Sequence, residues 1–107
     1  MRYANEIIVE ELKNDREFLK VHICHAITSL FNKEFSEGCL MIRDIVNATI
    51  GFKELSLKLN KSDKALMQML AKSSNPTIEN LFSIISAVLE HERLSFANAE
   101  ITDIEAA

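Results

Sequence analysis

Ser62, Asp63, Lys64, Met67 and Gln68 are the residues whose types and spacing best suit recognition chemistry. On a helix opening at Asp63 they stay outward once Leu66 and Leu70 turn inward. An amide such as Gln68 can pair with the edge of adenine, and an ammonium such as Lys64 with guanine or a phosphate. Met67 can touch a thymine methyl. Lys53, Lys58, Lys61 and Lys72 stand around them as candidate phosphate contacts. Asn75 and Thr77 open the next helix, whose first N–H groups suit a phosphate.

Other groups that bear chemistry read more plainly. His22, Cys24, His25 and Cys39 are zinc-ligand types, but zinc takes four in a tetrahedron. On a helix His22 and His25 share a side and Cys24 points elsewhere, so a buried cysteine and two partly exposed histidines are the favoured reading. No metal or cofactor is predicted. Glu10-Glu11 and Asp15-Glu17 read as helix-start charges rather than an acid/base pair. No Ser/His/Asp order, glycine-rich phosphate loop or aspartate-rich metal motif occurs, so no enzyme is expected. With no Trp and one Tyr, stacking of single-stranded nucleic acid has little support. The six phenylalanines read as core, except Phe96, which suits a dimer contact.

The elements that must position these residues follow from apolar periodicity. A weak helical segment covers about 4–12, where Ile8 and Leu12 lie four apart. Asn14 or Asp15 can cap a second helix running to about Asn32. There Leu19, Ile23, Ala26, Ile27 and Leu30 form one stripe. Ser36 is the candidate cap of a third helix reaching about Thr49, with Gly51 supplying the positive φ that ends it. A short helix over about 52–59 presents Leu55 and Leu59 inward, with Ser56 small enough for close packing. Asn60 suits a left-handed turn. Ser62 caps a helix over about 63–71. After the SSNP loop, Thr77 caps a helix to about His91, with Leu81, Ile84, Ile85, Val88 and Leu89 at helical spacing. Arg93-Leu94-Ser95-Phe96 alternates and allows a short strand. Residues 97–107 are small and acidic and are expected to fray as a flexible tail.

Length and composition agree with a single all-α domain over 1–107. Only two Gly and one Pro occur, and hydrophobic content is 48%. No apolar run is long enough for a membrane span, and no signal-peptide core opens the chain. A cytoplasmic location is the default expectation. Cys24 and Cys39 suit a reducing compartment, and a disulfide between them is left open but is not needed at this size. The net charge of −4 is unevenly spread: residues 51–74 carry five lysines against Glu54 and Asp63, or +3, leaving −7 elsewhere. DNA binding needs a basic face rather than a basic protein. A solvated surface of mixed charge is the bland alternative.

The run FKELSLKLNKSDKALMQML, the following NPTIENLFSIISAVL and the LSF beyond resemble Cro/C1-type (XRE) regulators. More narrowly, they resemble the HigA-type addiction-module antidotes, with LKNDREFLKVHICHAI and IVNATIG as the lead-in. The resemblance covers roughly residues 12–96. It implies a compact five-helix, λ-repressor-like domain whose helix-turn-helix and following helix span 51–91. It also implies a homodimer on a palindromic operator of double-stranded DNA, repressing its own operon and neutralising a RelE-like toxin. Ser62, Asp63, Lys64, Met67 and Gln68 fall on the family's DNA-facing positions. Ser56 and Asn60 stand where Ala and Gly are usual, and Lys61 where an apolar residue is usual. That departure costs packing or frees a lysine for phosphate. A stand-alone repressor without a toxin and a helical protein-interaction adaptor are the alternatives.

Overall fold

Polar residues at the ends of apolar runs decide where the helices of this computed structural model begin. It describes residues 4–72, 74–97 and 100–104, with residues 4 and 5 by backbone alone. Helix α1 (Ala4–Asn14) buries Leu12 to 2% exposure and half-buries Ile8. The Asp15 carboxylate accepts from the Phe18 N–H at 3.1 Å and caps α2 (Arg16–Phe31). The stripe Leu19, Ile23, Ala26, Ile27 and Leu30 is buried as its spacing predicts.

Helix α3 (Phe35–Ala48) starts earlier than expected. Glu34 holds the cap position without a side-chain bond, because Lys33, at φ 66°, already turns the chain. Ser36 is therefore not a cap. Its hydroxyl donates to the Lys72 carbonyl at 2.8 Å. Helices α2 and α3 approach closely at Gly38, where a Cβ would lie 2.8 Å from Leu30 Cδ2. Helices α4 (Phe52–Leu59), α5 (Asp63–Met69) and α6 (Ile78–Glu92) follow. Helix α6 buries Leu81, Ile84, Ala87 and Val88, while Ile85 and Leu89 are half-buried at its edge.

Three further expectations are corrected. Phe31, Phe35 and Phe82, read as core, are exposed, because they fall outside the buried stripes of α2, α3 and α6. The described chain has six helices, not five, because Leu12 and Ile8 anchor α1 on the core. The chain after Phe96 is also not wholly a fraying tail. Strand β1 (Leu94–Ala97) pairs antiparallel with β2 (Glu100–Asp103), Phe96 opposite Ile101. Ile101 is 6% exposed, so an apolar anchor holds a segment whose composition reads as solvent-loving. The fold is thus mostly helical with a small two-stranded sheet. The core joins all six helices and the hairpin, with a radius of gyration of 13.1 Å, an ordinary value for this length. Among the described residues no helix is long and apolar enough to cross a membrane.

An ionic clamp fastens the hairpin to α2. Arg16 Nε donates to Asp103 Oδ1 at 2.7 Å, and its Nη2 donates to the Glu92 carbonyl at 2.6 Å. Lys20 pairs with both Glu17 and Asp103. Arg93, left-handed at φ 56°, ends α6 and aims the chain into β1.

Candidate nucleic-acid interface

The α4–α5 pair is shaped by the turn between its helices. Asn60 takes the left-handed conformation expected of it, φ 54° and ψ 46°. The Ser56 hydroxyl donates to the Lys61 carbonyl at 2.6 Å, while the Lys61 N–H donates to the Ser56 carbonyl at 3.2 Å. Ser56 thus supplies a hydrogen bond that an Ala could not, besides being small. Ser62 caps α5 by accepting from the Ala65 N–H at 3.0 Å. Leu55, Leu66 and Leu70 are completely buried and make the apolar joint, with Leu59 half-buried beside them. Helix α5 ends at Met69, short of the expected residue 71, with Leu70 as its cap.

That joint leaves one face of α5 open. Ser62, Asp63, Lys64, Met67 and Gln68 are all exposed, Met67 at 47%. Lys61 is exposed too, so an apolar residue there would have gained little burial. Lys53, Lys72, Asn75 and Thr77 are likewise exposed. Thr77 caps α6, accepting from the Asn80 N–H at 3.1 Å, but Glu79 in the same first turn works against a phosphate there. Lys58 stands apart from the other lysines. Although exposed, it forms an ion pair with Glu90 of α6. His91 Nε2 lies 3.6 Å from a Glu54 carboxylate oxygen, so α4 is tied to α6 twice. Sequence reasoning missed both ties, since partners more than thirty residues apart leave no local signal.

The remaining candidates take ordinary places. The His22 ring lies tilted against Phe18, 5.6 Å between centroids, and burial lowers its pKa, with His25 adding repulsion. Cys39 is buried, which raises its thiol pKa, and Cys24 is half-buried. Both thiols are free. Among the described residues, no three His, Cys, Asp or Glu side chains gather as a metal would need. Glu10 and Glu11 are exposed, Asp15 is spent on its cap, and Glu17 pairs with Lys20. Asp44 is the one buried charged residue described, 8% exposed, and burial raises its pKa against the opposing pull of Arg43. The chain matches no family model, and neither a curated protein nor a solved structure shows detectable similarity to it.

Proposed function

We propose that α4, its turn and α5 form a helix-turn-helix that reads double-stranded DNA, and that the protein is a dimeric transcriptional regulator. The observation that carries this reading is the two-sidedness of α5. Leu66 and Leu70 fix one side to the core, while Ser62, Asp63, Lys64, Met67 and Gln68 stand together in solvent on the other. A short helix held firmly from behind, with amide, ammonium and thioether chains in front, suits insertion into the major groove. Gln68 pairs with adenine, Lys64 with guanine or phosphate, and Met67 contacts a thymine methyl. Lys53, Lys61 and Lys72 take phosphates. Lys58 joins them only when its pair with Glu90 opens. A two-fold dimer sets half-sites about 34 Å apart.

The acidic charge outside residues 51–74, −7, favours a second role. It suits the grip of a small basic protein, which matches the resemblance to antidotes of RelE-like toxins. In this reading the protein represses its own operon and neutralises the toxin encoded beside it. A stand-alone repressor is the alternative.

A gel shift with the DNA upstream of its gene tests the first part. Lys64→Ala with Gln68→Ala is expected to abolish sequence-specific retardation while leaving the circular dichroism spectrum intact. Undiminished binding would sink the assigned face. Co-expression with the adjacent reading frame tests the second part. Copurification of a small basic protein supports the antidote role, and its absence favours the stand-alone repressor.

A further inference from the structure

The described surface carries an uncharged apolar groove on the flank of α6. Ile27, Ile85 and Leu89 form its floor, and Phe31, Phe82 and Phe96 its rim. The rim rings are 75%, 46% and 47% exposed, respectively. Ser86 is the one polar side chain that lines the groove. Phe96 reaches it because β1 turns Leu94 and Phe96 to one face, opposite the buried Ile101 of β2.

We propose that a second copy of this chain covers this groove, so that α2, α6 and β1 of two protomers meet about a two-fold axis. Deepening the regulator reading above, this assigns its dimer interface and rests on that reading for the need of a dimer.

Charge selects the occupant. The chain is acidic overall at −4, so two copies carry a net mutual repulsion. The groove has no charged lining residue, so it can meet its own image without like-charge contact. A basic partner, by contrast, finds no carboxylate in the groove's lining; the nearest, Glu79 and Glu90, line the adjoining hollow beyond Phe82 and Ser86. Area agrees. At about 200 Å² for a full phenylalanine, the three rims leave on the order of 300 Å² of ring surface in water. That is a sensible anchor within the roughly 800 Å² per partner of a standard interface. Aromatic anchors of this kind are what central interface positions favour.

Sedimentation equilibrium of the full chain, with Phe31→Glu and Phe82→Lys variants, tests the proposal. The wild type is expected to run as a dimer of the 12.1 kDa chain. Each variant is expected to weaken that dimer at least thirtyfold, a hot-spot-sized effect. Phe31 is exposed enough that its replacement should leave the helical spectrum unchanged. A Phe31→Cys variant separates interface from fold. It should give a disulfide-linked dimer on oxidation if the two rims lie near the axis, with Cys24→Ser and Cys39→Ser in the background. A wild-type chain that stays monomeric at about 100 µM, roughly a hundred times a micromolar constant, overturns the assignment. So does a folded Phe31→Glu, Phe82→Glu double variant that remains fully dimeric. Binding to a single half-site, which needs only α5, is scored separately on the same variants. Loss of dimer with half-site binding kept confirms the groove, whereas loss of half-site binding in the wild type strikes the DNA reading alone.

Discussion

Gly51 holds φ 79° and ψ 154°, a combination open to almost no other residue, between the end of α3 and the start of α4. A Cβ there meets nothing within 4 Å, so the penalty of a replacement is purely conformational. Gly51→Ala is therefore expected to cost about 1–3 kcal/mol in a denaturant melt. Asp44 makes the opposite case. Its Oδ1 is buried and has no hydrogen-bond partner among the described residues. Its folded pKa is raised above 3.8, so folding favours the protonated form. Any stability it lends is full below that value and is lost as pH rises through the raised one. Asp44→Asn should raise Tm at pH 7 and flatten its pH dependence between 4 and 7, with a gain of about 1 kcal/mol. Melts in which the variant is less stable at neutral pH would refute this. Residues acting on near neighbours were legible in the sequence: the caps Asp15, Ser62 and Thr77, and the left-handed Asn60. Ser36 misled because Lys33 had already reversed the chain.

At the scale of elements, the clamp between α2 and the hairpin gives a pH signature. Lys20 first, and Arg16 with it, hold the Asp103 carboxyl below its ordinary value of 3.8. The clamp's contribution is thus complete above that value and is lost as pH falls through the lowered one. Asp103 in turn, with Glu17, holds the Lys20 ammonium above 10.5, so alkali does not release it until that raised value is passed. Asp103→Asn should remove the acid-side change at the hairpin, read by amide exchange at Phe96 and Ile101 between pH 5 and 2. An unchanged acid profile would mean that the hairpin is held by Leu94 and Ile101 alone. The helices themselves were legible, since a stripe such as Leu19 to Leu30 repeats within one element. The second strand was not. Ile101 is a single apolar residue amid acidic ones, and its partners on α2 lie some eighty residues away.

At the scale of the molecule, charge is unevenly spread along the chain, +3 over residues 51–74 and −7 elsewhere. If Lys53, Lys61 and Lys72 each neutralise one phosphate, log K for a half-site should fall with log salt at a slope of about −3. Glu90→Gln, by freeing Lys58, should steepen it toward −4. A titration from 50 to 300 mM salt, ordinary working conditions for such a slope, would detect either. An unchanged slope in that variant would place Lys58 off the DNA. The charge asymmetry was plain in the sequence, but the pairing that subtracts Lys58 from it was not. The clamp also has a consequence for the order of assembly. Arg16 meets Asp103 across 87 residues, whereas α1, α2 and α3 find one another over short stretches of chain. During synthesis on the ribosome, the first three helices can pack while residues 100–103 are still inside the exit tunnel. Until Asp103 emerges, Arg16 and Lys20 lack the carboxylate they share. The bond between Arg16 and Asp103 therefore closes well after the helices it braces have found one another.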